Sequence, residues 1–193
     1  RKKIKEFRNR DIEGKCVILK PATTAYAENI VKLRNQSKNL YWFNQTDDIT
    51  LNSQKEWFES YAQAEDDIYW CIFNKENHFI GTIRLYGIDL NGEFCEEGSY
   101  VIDEAVADEA PYAVESKMMA LDVAFGELEI KTMINDNRAD NKTMNNIDNQ
   151  LGFNKGTIVK IREVDFLHRV LTADGYWKNR VKFSSLIDYW SER

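Results

Sequence analysis

The stretch Asn141–Phe153, NKTMNNIDNQLGF, constrains this chain more than any other. Met144, Ile147 and Leu151 recur at steps of three and four, so they form one apolar stripe of a helix. Gly152 stands where a helix commonly ends in a left-handed residue, and Phe153 can fold back onto the stripe. A helix that ends this way must lie on a core built by the rest of the chain.

The rest of the chain supplies alternating elements that can build such a core. Residues 1–14 are basic and without a sustained period, which reads as a solvated arm or an irregular edge. Cys16–Leu19 reads as a strand stopped at Lys20-Pro21, and residues 23–35 as a helix with Tyr26, Ala27, Ile30, Val31 and Leu33 on its stripe. Residues 36–52 are polar and irregular around an aromatic knot, Tyr41-Trp42-Phe43, read as a loop pinned to the core. Ser53 and Glu56 make a capping box for a second helix running to about Ala64.

Residues 68–73 and 79–88 are strand-like, and Asn91-Gly92 signals a two-residue type I′ hairpin. Unbroken pairing from that turn sets Tyr86 opposite Glu97 and Arg84 opposite Ser99, which gathers all four on one sheet face. Either a solvated ion-pair face or a polar substrate wall with a carboxylate base satisfies that arrangement. After an acidic link, Pro111 opens the most regular amphipathic helix, with Val114, Met118, Leu121, Phe125 and Leu128 at alternating steps of four and three. A short strand at 130–134, the helix of the opening stretch at 138–151, a strand pair near 157–161 and 166–171, and a tail helix at 174–190 complete the order.

Composition sets limits on function. The 193 residues are 43% hydrophobic, enough for a full core. A net charge of -6 disfavours a nucleic-acid partner and favours a cationic or amine substrate. Three widely spaced cysteines, Cys16, Cys71 and Cys95, fit a reduced cytoplasmic protein, and no Cys/His spacing suggests zinc or another metal. No apolar run approaches the roughly 18 residues of a membrane span.

With Asn141, Leu151, Gly152 and Phe153 at their spacing, a preceding strand and this order of elements, the chain resembles the GNAT acyl-CoA N-acyltransferases over residues 15–173. Leu121–Phe125 is similar to the end of that family's central helix, and the two-helix entry and the tail resemble its ribosomal-protein and amino-sugar acetyltransferase branch. The resemblance implies an α/β (α+β) fold with a mixed sheet of six to seven strands, splayed at the centre and flanked by about four helices. Residues 1–14 would be an arm and 174–193 a C-terminal helix packed on the domain.

It also implies acetyl-CoA as co-substrate and direct attack of a small-molecule or peptide amine on the thioester, with a homodimer open as the assembly. The implied cofactor contacts are Val101, Ile102, Tyr112, Ala113, Val114 and Asn141; the catalytic candidates are Glu97 as base and Tyr100, and the substrate candidates Arg84, Tyr86 and Trp42. The family tyrosine that serves as acid is replaced here by Asp148, read as a solvated helix residue. The family's phosphate loop corresponds to residues 108–113, where only Ala113 matches; Pro111 removes an amide, and Asp108 and Glu109 bring negative charge, for which Lys117, Arg138 or Lys142 could compensate at the phosphates. A GNAT-fold binding protein without CoA-dependent catalysis is the alternative.

Overall fold

A computed structural model describes residues 1–193. Its strands are β1 (Ile12–Glu13), β2 (Val17–Pro21), β3 (Ile68–Asn74), β4 (Phe79–Asp89), β5 (Phe94–Ile102), β6 (Thr132–Arg138), β7 (Thr157–Ile161) and β8 (Val164–Thr172). They form one mixed sheet in the order β1-β2-β3-β4-β5-β6-β8-β7, one or two strands more than expected. The helices are α1 (Lys2–Phe7), α2 (Ala27–Arg34), α3 (Ser37–Trp42), α4 (Leu51–Gln63), α5 (Tyr112–Asp122), α6 (Lys142–Leu151) and α7 (Ala173–Ser191). No helix is long and apolar enough to cross a membrane.

Helices cover both faces of the sheet. On one face Leu19, Trp70, Ile83, Leu85, Cys95 and Met133 pack with α5, α7 and α1 in the main core. On the other, Tyr69, Cys71 and Phe73 pack with Ile30 of α2 and Phe58 and Tyr61 of α4. The alternation along β3 divides its residues between these two cores, so the strand is buried throughout.

Several local expectations are corrected. Residues 2–7 are a helix, not a solvated arm, because Ile4 and Phe7 are buried in the main core. Residues 37–42 of the aromatic segment are helical. The box that starts α4 is Thr50 with Ser53, each side chain accepting the other's backbone N–H at 3.0 and 3.1 Å, not Ser53 with Glu56. Pro111 is the residue before α5 and not within its first turn.

The β4–β5 hairpin departs most from expectation. Its loop spans residues 90–93, with Asp89 Oδ1 accepting the amides of Asn91 and Gly92 and with Glu93 at φ 54°, so it is not a two-residue type I′ turn. Asp89 pairs with Phe94, the register the sequence suggests, but an extra residue at Gly87 (φ 56°) then shifts the ladder. Tyr86 therefore faces Glu96, Leu85 faces Glu97 and Arg84 faces Gly98. A one-residue slip exchanges sheet faces, so Glu97 lies on the main-core side, opposite to Arg84 and Tyr86.

Candidate active site

The sheet is nearly divided at its centre. β5 and β6 pair in parallel only at Phe94–Thr132, Cys95–Met133 and Glu96–Ile134, although they continue to Ile102 and Arg138. Glu97 and Asn135 are the first residues beyond the last pair, on the face covered by α5 and α6. A second bulge, with Ser99 at φ 46°, interrupts the β4–β5 ladder just past this point.

Glu97, Lys117, Asn135 and Asp148 meet at the apex of the wedge. Lys117 Nζ lies 2.5 Å from Asp148 Oδ1 and 3.3 Å from Glu97 Oε2. Asn135 Nδ2 donates to Glu97 Oε2 (3.1 Å) and Asp148 Oδ2 (2.8 Å), and Asn137 Nδ2 donates to the same Asp148 oxygen at 2.8 Å. Relative exposures are 4% for Glu97, 1% for Lys117, 2% for Asn135 and 0% for Asp148. Asp148 is thus an enclosed ion-pair partner, correcting the solvated-residue reading.

Charge and burial compete here. Burial alone would lower the Lys117 ammonium, but Asp148 and Glu97 outweigh it and hold the group above its ordinary value. Burial is the largest influence on Glu97; with the Asp148 charge it raises the carboxyl above its ordinary value despite Lys117 and Asn135. Glu97 Oε1 and Asn135 Oδ1 have no hydrogen-bond partner.

The start of α5 adjoins the wedge, because the Tyr100 hydroxyl on β5 donates to the Ala113 carbonyl. Glu115 anchors the helix to β2 by accepting the amides of Cys16 and Val17 at 2.6 and 2.9 Å. The Tyr112 amide donates to Ala110 O at 2.7 Å and the Glu115 amide to Pro111 O at 3.0 Å, whereas the Ala113 and Val114 amides donate to no backbone carbonyl. Such a pair of N–H groups can receive an anion, although exposed Asp108 and Glu109 stand just before them.

The other expected residues are spread around this centre. Val101 and Ile102, each 7% exposed, lie on the end of β5 that pairs with β4 but no longer with β6, and Tyr112 is the buried first residue of α5. Asn141 Oδ1 caps α6 by accepting the Met144 amide at 3.2 Å. Arg84 is bound to Asp67 through Nε at 2.9 Å and lies over Trp57 and Tyr86 on the α4 side, away from Glu97. Trp42 packs edge-on against Tyr41, whose ring lies 3.7 Å from the Arg138 guanidinium and whose hydroxyl bonds Asp140. The expected wall of Arg84, Tyr86, Glu97 and Ser99 does not form.

Asn135 and Asn137 were absent from the sequence expectation, and Lys117, expected only at the phosphates, is instead bound to Asp148 and Glu97. Lys117 sits within the apolar stripe of its helix, three residues after Val114 and four before Leu121, and Asn135 and Asn137 share a strand face with Met133 by alternation. A cation on a buried stripe and amides on a buried strand face were the readable signal.

Residues 17–154 match the family described as an acetyltransferase (GNAT) domain. The chain belongs to this family. The GNAT architecture is shared with solved structures of low sequence identity. Against a GCN5-related N-acetyltransferase from Brucella melitensis the TM-score is 0.75 at 15% identity, covering 92% of this chain and 85% of that one. Apo FdhC, a nucleotide-linked sugar GNAT, gives 0.77 at 21% identity over 93% and 99%. A spermidine N-acetyltransferase from Vibrio cholerae in complex with CoA and spermine gives 0.76 at 14%, over 85% and 99%. No curated protein matches the sequence. The GNAT wedge is distinct from a cavity of about 790 Å³ between α1 and α4, which includes none of the cluster residues.

Proposed function

We propose that this GNAT protein transfers an acetyl group from acetyl-CoA to a primary amine on a small molecule or peptide. The observation that carries the proposal is the open seam between β5 and β6 with the partnerless Ala113 and Val114 amides at its mouth. Backbone N–H groups at a helix start favour an anion, and the pyrophosphate of acetyl-CoA is such an anion. These residues fit the group in part, since Asp108 and Glu109 oppose it. Tyr112 would flank the phosphates, and Val101 and Ile102 would supply the backbone that polarises the thioester carbonyl. Asn141 would act through the α6 start that it caps.

A cationic amine suits the chain's net charge of -6. We assign its entrance to the Trp42 side of the wedge, because Arg84 and Tyr86 lie on the opposite face of the sheet. Polyamines head the panel of acceptors because a structural neighbour holds spermine and CoA. Glu97, enclosed and biased toward its neutral form, is poorly suited to take the proton of an incoming ammonium directly.

Calorimetric or dye-monitored unfolding with acetyl-CoA tests the proposal. Ligand at 100 times Kd adds about 2.7 kcal/mol of stability. Unchanged unfolding up to millimolar acetyl-CoA would overturn it and favour the second reading, a GNAT-fold binding protein. Asp108, Glu109 and Pro111 are the observation behind that alternative. Asp108→Asn/Glu109→Gln should tighten acetyl-CoA binding if the first reading holds.

A further inference from the structure

The buried cluster holds two carboxylates and one ammonium, and its hydrogen bonds are unevenly shared. Asp148 has the shorter contact with Lys117 and two amide donors. Glu97 shares the same ammonium at longer range, and its Oε1 is without any partner. An ionised, partnerless carboxylate oxygen at 4% exposure is costly, and one proton on it removes the excess charge. From α5 the group facing Glu97 is Lys117; from α6 it is Asp148, from β6 Asn135, and along β5 Cys95 and Tyr100, both biased by burial toward their neutral forms. No second cation reaches Glu97.

We infer that Glu97 is kept as a neutral carboxylic acid and is the proton donor to the departing thiolate, a role left open by Asp148, whose carboxylate oxygens are taken up by Lys117, Asn135 and Asn137. The inference rests on the acetyl-transfer reading. In the step, the amine nitrogen bonds to the acetyl carbon and the carbon–sulfur bond breaks with its electron pair on sulfur. Sulfur takes the Glu97 proton to become a thiol, and the proton lost by nitrogen goes to solvent. The resulting Glu97 carboxylate is balanced by Lys117 and Asn135, and solvent reprotonates it between turnovers. Lys117 is then a positioning residue, since it stabilises the donor's conjugate base.

Two measurements test this in the full chain. Carbon-13 NMR of glutamate-labelled protein should show one carboxyl resonance in the neutral position at pH 7 that disappears in Glu97→Gln; full ionisation of every glutamate at pH 7 overturns the inference. In turnover, Glu97→Gln should slow transfer from acetyl-CoA by about 100-fold, yet slow transfer from the acetyl thioester of 4-nitrothiophenol by less than about threefold, because that thiolate leaves without a proton. Equal losses with both donors overturn the role. Lys117→Met removes the cation that favours the Glu97 carboxylate, so Glu97 should stay neutral but give up its proton less readily, slowing the acetyl-CoA reaction and leaving the activated thioester's rate nearly unchanged. If acetyl-CoA neither binds nor turns over, the acetyl-transfer reading fails, and the donor role with it. An ionised Glu97 in an active enzyme overturns the donor role alone.

Discussion

Lys117 shows how much depends on one side chain placed against the grain of its helix. Its ammonium is the only cation between Glu97 and Asp148, so Lys117→Met would leave the buried carboxyl pair without its counter-charge. About 3 to 5 kcal/mol of stability should be lost in urea unfolding, and Lys117→Met/Asp148→Leu should lose less than the single change. Proton linkage gives a second expectation at this scale. Because the folded value of Glu97 is raised, the folded protein binds more protons than the unfolded chain above the ordinary value of 4.5. The Glu97 contribution is therefore complete below 4.5 and lost as pH rises through the folded value. Glu97→Gln should flatten that part of the stability-pH curve, and an unaltered slope would count against it. The sequence displayed Asp148 and Lys117 plainly but not their partnership, since 31 residues and a strand separate them. A helix pattern tells which side chains are buried together only within its own element.

At the scale of elements, spacing was legible and interruptions were not. Strands at 68–74, 79–89 and 94–102 lie where apolar alternation puts them, and α6 ends at Gly152 with φ 101° as the opening stretch suggests, but β6 runs on to Arg138, so the helix starts after its Asn141 cap and not at 138. The Gly87 bulge is carried by a glycine at φ 56° with open space around it, which no alternation pattern marks. Gly87→Ala should therefore cost only about 1 kcal/mol, the strain of a left-handed alanine. At Gly81, by contrast, an added Cβ would lie 2.3 Å from the Val101 carbonyl oxygen, backbone that must move. Gly81→Ala should lower the melting temperature far more than Gly87→Ala and disturb the end of β5 that has parted from β6; comparable effects would mean that β4 and β5 are less tightly apposed. Thr50→Ala removes the α4 cap and should cost about 1 kcal/mol in the same assay.

For the whole molecule, the order of elements and the closing motif were enough to indicate a GNAT domain, whereas the docking of the two termini was not. Ile4 and Phe7 of α1 and Tyr176, Phe183 and Ile187 of α7 all enter the main core. Tyr176 stacks on Phe125 at 5.1 Å between centroids, and Arg180 grips Asp122 through two 2.7 Å contacts. Removal of residues 174–193 should expose Phe125 and abolish cooperative thermal unfolding by calorimetry; a truncated chain with an unchanged transition would make α7 an ornament. The seam between β5 and β6 has a further consequence. Every strand before residue 103 lies on one side of it and every strand after residue 131 on the other, with three residue pairs between. The chain is thus already partitioned for fragment complementation: a cut in the 104–109 connection separates two pieces that each own an uninterrupted half of the sheet, and their reassociation would report directly on what holds the halves together.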